Sequence, residues 1–339
     1  MPGPAPPVRP VRWSTAMDQA LYGPDGFYVL GEGVSGHFRT SVSGSSTVAE
    51  LFAGAVGELL ERVDCALGRP DPLDLVDVGA GSSDLLEAVL RSIGSQRAAR
   101  TRLTVVERRP RPADLSPYVT WLDDVPDMIG LLIANEWLDN VALDVVVQDV
   151  AGADVVLMAD PRGAESCGPA PTPQESAWLV RWWPSGPRRE IGLARDIAWA
   201  SAVSRVQRGL AVAIDYSHSA ADRPAYGTLT GFRRGRETAP IPDGSCDLTA
   251  HVAIDSVTAA GEASGAYGQV VRTLLTDQRT ALIALGVSGA RPDFATDPAG
   301  YAAALQRAGD AAELLDRGGL GGFVWLLHGV DLDPTVILH

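Results

Sequence analysis

Apolar positions along this chain change their rhythm from one stretch to the next. From about Thr47 to Leu67 they recur every three or four residues (VAELFAGAVGELLERVDCAL), which predicts a helix with one apolar face. Trp13–Tyr22 has the same spacing, with Ser14 or Thr15 as its cap and Gly23-Pro24 beyond its end, and predicts a shorter helix. After Pro70 the pattern tightens into short apolar runs. Leu73–Val78 (LDLVDV), Arg102–Glu107 (RLTVVE), Val119–Leu122 (VTWL) and Gly130–Asn135 (GLLIAN) read as strands, with a helix over Leu85–Ile93. Strands alternating with helical or loop connections predict an α/β fold with a parallel sheet and right-handed crossovers.

The middle of the chain is less regular. A strand pair is expected around Val145–Asp149 and Asp154–Met158, followed by a proline-rich link, a Trp-bearing helix and a helix over about Glu190–Gln207. Gly209–Tyr216 (GLAVAIDY) returns to the buried-strand pattern. Gly227–Arg234 and Asp247–Asp255 follow it, then two later helices, and Gly321–Val330 (GGFVWLLHGV) reads as a closing strand. There is no internal repeat. The expected organisation is a flexible tail over 1–12, a helical segment over 13–70, a core over 71–330 carrying an insertion at about 142–189, and a tail over 331–339.

Composition narrows the class of function. With 46% hydrophobic and 21% charged residues, the 339-residue chain can bury a sizeable core. Its 28 basic residues are all Arg, a usage that fits a GC-rich bacterial genome. They are outnumbered by 42 acidic ones, for a net charge of −14 and no basic run. Nucleic-acid binding therefore has no electrostatic support. A neutral or cationic partner suits such a surface better. Cys65, Cys167 and Cys246 have neither a metal-site nor a disulfide spacing, which favours a reducing compartment. No apolar stretch approaches the roughly 18 residues of a membrane span. The opening MPGPAPPVRPVR lacks the apolar core of a secretory signal, so the expected location is cytoplasmic.

The strongest local signal is Val76-Asp77-Val78-Gly79-Ala80-Gly81-Ser82-Ser83-Asp84, in which an apolar strand runs into Gly-x-Gly and a helix. Such a turn lets a ligand approach the backbone beside unpaired N–H groups at the helix start. A dinucleotide fold would hold a pyrophosphate there, with a third glycine where this chain has Asp84. Asp77 and Asp84 would repel that pyrophosphate. They would welcome S-adenosylmethionine, which is cationic and carries no phosphate. Glu107 ends the second strand, 26 residues past Gly81, where a carboxylate can accept hydrogen bonds from ribose hydroxyls. Asp123 and Asp124 end the third strand and could read an adenine amino group. Each carboxylate also has a plainer reading, as a surface Glu beside Arg108 and Arg109 or as a turn cap. Three of them on successive strand ends coincide less easily than one. The fourth strand delivers Asn135, Glu136 and Asp139 abruptly at its tip, the plainer reading there being a helix cap by Asn135.

These blocks resemble the MidA family, bacterial and mitochondrial methyltransferases related to complex I assembly factor seven. Ala20-Leu21-Tyr22 with Gly26-Phe27-Tyr28 is similar to the family's opening ALYDPxxGYY, and Gly36-His37-Phe38-Arg39-Thr40-Ser41 to its GDFxTSP loop. VDVGAGSSDLL and VVERRP stand where the family has its glycine-rich turn and second acidic strand, and ANEWLDN resembles ANEFFDA. Ala213-Ile214-Asp215-Tyr216, Gly227-Thr228-Leu229 and Asp247–Val252 resemble the IDYG, GTLRAY and DITAHVDF blocks. The resemblance runs from about Met17 to Val330. It implies a Rossmann-like class I methyltransferase sheet with an N-terminal helical segment and substrate-side insertions, and S-adenosylmethionine as cofactor. The family's mitochondrial member symmetrically dimethylates an arginine of a respiratory complex I subunit. His37, Ser43–Thr47 and Asn140–Asp144 depart from the family pattern at loops on the substrate side.

The expected cofactor contacts are therefore Asp77, Gly79, Ala80, Gly81, Glu107, Asp123, Asp124 and Asn135. Methyl transfer is an in-line displacement, so positioning carries much of the catalysis. For a guanidinium acceptor, Glu136 and Asp139 would orient the substrate and localise its charge. For a hydroxyl or amine of a small molecule, His251 or His37 could remove the proton. A protein arginine, a small-molecule O- or N-acceptor and a non-catalytic S-adenosylmethionine-binding assembly factor remain the alternatives, with oligomeric state (a homodimer included) left open. No metal is expected, because His37, His218 and His251 lack ligand spacing; a lone His is more often a hydrogen-bonded structural residue. Trp178, Trp182 and Trp183, at helical spacing, read as core or interface.

Overall fold

The computed structural model describes residues 9–30, 46–265 and 268–338. Within them the chain divides into two compact units. One comprises 9–30, Asp139–Ala198 and His218–Val257, and the other 46–138, Trp199–Ser217, 258–265 and 268–338.

The second of these, the sheet unit, is built on seven strands: β1 (Leu73–Val78), β2 (Thr101–Val106), β3 (Val119–Leu122), β4 (Met128–Asn135), β5 (Val206–Asp215), β6 (Val271–Asp277) and β7 (Val324–Val330). They lie in the order β6-β7-β5-β4-β1-β2-β3. Strands β1 to β5 are parallel, and β7 runs antiparallel between β5 and β6. The chain builds outward from β1 to β3 and then returns to the other side of β1 to place β4. That reversal opens a crevice at the carboxyl ends of β1 and β4, where ligands of open α/β sheets bind.

The core explains why these segments fold as they do. In the helix Ser46–Ala66, Phe52, Val56, Leu59, Leu60 and Val63 are fully buried at helical spacing. They share a core with Leu73 and Leu75 of β1, Leu103 and Val105 of β2, and Leu131 and Ile133 of β4. Each such side chain contributes about 1.5–3 kcal/mol on leaving water. Alternate residues of each strand point to this core, while Val76, Leu132 and Ala134, equally buried, point to the other face.

The other unit is largely antiparallel. Asp154–Ala159 pairs with Val11–Arg12, Asp144–Gln148 and Glu165–Cys167, and Asp144–Gln148 pairs in turn with Arg188–Ile191. A smaller sheet joins Thr230–Arg233 to Arg236–Thr238 and Asp247–Thr249. Trp13, Ala16, Val145 and Leu157 form one of its cores, and Val146, Trp178, Trp183 and Ile191 another.

Several expectations change. Val11–Arg12 is a strand rather than part of a flexible tail, because Asp154–Ala159 supplies an edge for it. The helix Trp13–Tyr22 has no side-chain cap; Ser14 instead turns its hydroxyl and N–H to Asp144, at 2.9 and 3.0 Å. Arg188–Ile191 is a strand, and the helix predicted from Glu190 begins at Leu193. The insertion reaches beyond 142–189, since Asp139–Ala198 and His218–Val257 belong to one unit with the helix Trp13–Tyr22. Strand β6 went unread because half-buried apolar and polar positions mix along it at the sheet edge. The 331–339 segment is no tail: Pro334–Leu338 is helical, and Ile337 and Leu338 enter the core of the sheet unit.

Candidate functional site

The turn after β1 carries the geometry that its glycines imply. Gly79 and Gly81 have φ of +70° and +65°, a region that costs little only for glycine. A Cβ at Gly79 would also run into the indole of Trp137. A side chain at this position would therefore meet Trp137. Between the two glycines, Ala80 is half-buried and its carbonyl accepts the Ser82 N–H at 2.6 Å.

Glu107 sits at the end of β2 and is 7% exposed. Its carboxylate accepts the Gly81 N–H at 2.9 Å and the Arg109 N–H at 3.0 Å, so it braces the glycine turn. The Arg109 guanidinium reaches the Gly81 carbonyl and lies 3.7 Å from the Glu107 carboxylate. Nothing in the sequence beyond its place next to Glu107 signals this role of Arg109; the indole of Trp121, donating to the Arg109 carbonyl at 3.0 Å, holds that segment against β3.

Asp77, on β1, is 3% exposed and accepts no hydrogen bond among the described residues. Burial pushes its carboxyl well above the ordinary carboxylate range, and the negative charge of Glu107 pushes it further. Asp123 and Asp124 follow β3 and are exposed.

The tip of β4 is more tightly made. Glu136 has φ of +51°, an uncommon conformation for a residue with a side chain. Its N–H is pinned to the Ile214 carbonyl of β5 at 2.8 Å. One carboxylate oxygen accepts from Asn135 Nδ2 at 3.2 Å and the other from the Tyr216 hydroxyl at 3.3 Å. Asn135 Oδ1 is buried and has no hydrogen-bond partner among the described residues. Asp215, 1% exposed, accepts the Leu138 N–H at 3.0 Å and holds the chain as it leaves the tip.

Asp139 and His251 belong to the other unit. Asp139 is 5% exposed, with one oxygen accepting the Thr249 hydroxyl at 2.7 Å and the other without a partner among the described residues. Burial raises its pKa against the opposing pull of Thr249 and Arg195. Arg195 is buried and donates to the main-chain carbonyls of Asp139, Val141, Ala250 and His251 at 2.7–3.0 Å. His251 is exposed, and the covered part of its ring lowers its pKa below the ordinary histidine value. Asp247 accepts from Asn140 at 3.1 Å, and burial followed by the charge of Asp139 pushes it up to about 7. His218 is buried beside Arg223, with Nδ1 2.5 Å from the guanidinium, and burial lowers its pKa to about 4. His37 lies outside the described residues.

Among the described residues, no three His, Cys, Asp or Glu side chains converge as metal ligands, and no helix is long and apolar enough to cross a membrane. Asn135 Oδ1, at the end of β4, is a buried acceptor without a donor among the described residues, and Asp77 lies buried near the end of β1 beside the glycine turn. A cationic ligand bearing N–H donors fits that set. A pyrophosphate does not.

Sheet order, the antiparallel β7 and the site at the β1–β4 crevice define a Rossmann-like methyltransferase fold. Two similar solved structures share it, both of Burkholderia thailandensis proteins from one superfamily. One holds S-adenosyl-homocysteine (22% identity, TM-score 0.75, covering 95% of this chain and 88% of that one). The other is a native crystal structure (21% identity, TM-score 0.74, covering 97% and 89%). No curated protein matches the chain in sequence. Residues 55–271 match a family described as "Putative S-adenosyl-L-methionine-dependent methyltransferase", and this chain belongs to it. The protein is a methyltransferase that depends on S-adenosylmethionine.

Proposed function

We propose that the methyl acceptor is a guanidinium nitrogen, an arginine of a protein partner. The carrying observation is Glu136, whose carboxylate is held from both sides by Asn135 and Tyr216 on a backbone in a costly conformation. Strain of this kind persists where the surroundings over-determine it, as at sites that bind or react. A carboxylate so fixed can pair with a planar guanidinium and set which nitrogen faces the methyl group. The resemblance to the MidA family supports arginine in particular.

When bound, S-adenosylmethionine supplies an electrophilic methyl group on a sulfonium. In this reading the chain's residues hold and orient. Asp77 and Asn135 receive N–H donors of the cofactor, the turn from Gly79 through Ala80 to Gly81 lies against it with Gly79 making room for Trp137, and Glu107 turns from the glycine turn toward ribose hydroxyls. Asp123 and Asp124 take the adenine amino group. The Burkholderia thailandensis protein that holds S-adenosyl-homocysteine supports this assignment of ligand class.

One observation favours a second reading, a small-molecule O- or N-acceptor. The lowered pKa of His251 keeps its imidazole neutral near pH 7, competent to take a proton from a hydroxyl or amine. Transfer of a labelled methyl group from S-adenosylmethionine into a cell lysate separates the two. Label recovered as methylarginine in a protein supports the first reading; label recovered only in small molecules overturns it.

A further inference from the structure

We infer that the hairpin Thr230–Thr238 is a docking surface for an acidic segment of a protein partner. Thr230–Arg233 pairs with Arg236–Thr238 so that Arg233 and Arg236 stand directly opposite each other, on either side of the turn Arg234-Gly235. Both turn residues have positive φ, +53° and +72°, the combination whose twist matches that of the flanking strands. Asparagine or aspartate is the usual residue with a side chain at the first of these positions, and here it is a third arginine. All three arginines are exposed.

Like charges directly opposite across a strand pair repel. Elsewhere in the same unit arginines are answered from within: Arg12, Arg188, Arg189 and Arg223 each pair with an Asp or Glu. Arg233 and Arg236 have no carboxylate within 4 Å among the described residues. Glu237, the next residue along, accepts the Thr230 hydroxyl at 3.1 Å. The hairpin therefore offers an anion two adjacent guanidiniums, each able to take a carboxylate bidentately. Residues opposite in an antiparallel pair lie about 5 Å apart, close to the roughly 7 Å between alternate side chains of an extended peptide, so a run of Asp or Glu can engage both. An extended polyanion, a nucleic acid or an anionic bilayer, fits less well. Its charge continues past the hairpin onto a chain of net charge −14, which repels it, whereas a peptide confines its charge to a short stretch. That this partner is also the methyl acceptor rests on the protein-arginine reading; the docking itself does not.

Fluorescence anisotropy of a labelled oligoglutamate peptide with the full chain tests this. Binding is expected, and it should weaken as sodium chloride rises from about 50 to about 300 mM, since exposed charges are screened. Arg233→Ser with Arg236→Ser should weaken it about tenfold, the scale of two exposed ion pairs. Arg208→Ser with Arg272→Ser removes the same charge from exposed arginines of the sheet unit and should leave it within about twofold. The melting temperature of the Arg233→Ser, Arg236→Ser variant should not fall, because a repulsive pair is removed. No binding by the wild type, equal weakening in the two double variants, a lowered melting temperature, or binding to phosphatidylglycerol vesicles in place of the peptide overturns the docking surface. Unlabelled oligoglutamate should also reduce transfer of a labelled methyl group into the proteins of a cell lysate, while S-adenosylhomocysteine affinity is unchanged by Arg233→Ser with Arg236→Ser. Label that enters only small molecules would overturn the arginine reading, and the anisotropy would still decide the hairpin. Label that enters protein undiminished by oligoglutamate would overturn the docked partner's role as acceptor.

Discussion

Carboxylates are buried in both units, and they live differently. Glu190 and Asp196 in one unit are consumed by the protein. Glu190 accepts the Thr228 and Leu229 N–H groups at 2.5 and 2.7 Å and the Thr228 hydroxyl at 2.8 Å. Asp196 accepts from Trp178 and Ser256 at 2.6 and 2.7 Å. At the carboxyl end of the sheet Asn135 Oδ1 is buried without a donor among the described residues, and Asp77 is buried on β1 with its pKa raised. A buried acceptor left without a donor costs about 1–3 kcal/mol. Such a group offers a ligand an acceptor to complete; Asp139 Oδ1 in the other unit and Asp64 Oδ1 are left open in the same way among the described residues.

Substitutions should separate the two kinds of carboxylate, and the largest effect is expected where a finished network is broken. Glu190→Ala leaves two backbone N–H groups and a hydroxyl without their acceptor. Stability should fall by about 3–5 kcal/mol in denaturant melts. A loss under 1 kcal/mol would mean that water replaces the carboxylate, and the contrast with Asp77 would weaken.

Glu136→Gln should act on rate. Turnover is expected to fall by about 10², with S-adenosylmethionine affinity nearly unchanged. If affinity falls first, Glu136 serves the donor's ammonium group and the acceptor role passes elsewhere.

Glu107 stands between the two kinds, because the structure gives its oxygens to Gly81 and Arg109 while its position suits ribose. Glu107→Ala should lower S-adenosylhomocysteine affinity by about 1.5–3 kcal/mol in calorimetry. Unlike a pure ligand contact, it should also lower stability by about 1 kcal/mol through the glycine turn. Unchanged affinity would move Glu107 into the finished class.

How much of this could be read from sequence differs between the units for a related reason. The core strands β1, β4 and β5 were legible because a strand buried on both faces must be an apolar run, and the turn at Gly79 and Gly81 followed from residue type. Asp77, Glu107 and Glu136 could be singled out because a polar residue ending an apolar strand is conspicuous. What those residues touch could not be read. Trp137 against Gly79, Arg109 across the turn and the Tyr216 hydroxyl on Glu136 depend on which strands the sheet brings side by side. The other unit was less legible still, since its short strands pair across long gaps, as Val11 does with Ala159. Asp139 and His251 looked alike in sequence to the sheet-edge residues; only the contacts with Thr249, Thr228 and Arg195 reveal how far each is engaged within its own unit.

The smallest effect expected concerns Asp247, and its sign is informative. Burial and the charge of Asp139 raise its pKa to about 7, against an unfolded value near 3.8. Between those values the folded chain holds a proton that the unfolded chain releases. Stability from this group is therefore present at low pH and lost as pH rises toward 7. Asp247→Asn keeps the acceptor that Asn140 Nδ2 needs at 3.1 Å and removes the ionisation. The variant should match wild type near pH 4 and gain on it by on the order of 1 kcal/mol by pH 8, measured as the difference between paired denaturant melts. His328 works in the opposite direction, its buried ring lowered to about 4 so that stability is lost as pH falls from about 6.5. That contribution is common to both proteins and cancels in the difference. S-adenosylhomocysteine affinity should be the same in variant and wild type, as it should be for a carboxyl already served inside its own unit. A difference that shrinks with rising pH, or a cofactor affinity that falls with Asp247→Asn, would place Asp247 among the unfinished groups and erase the distinction between the two regions.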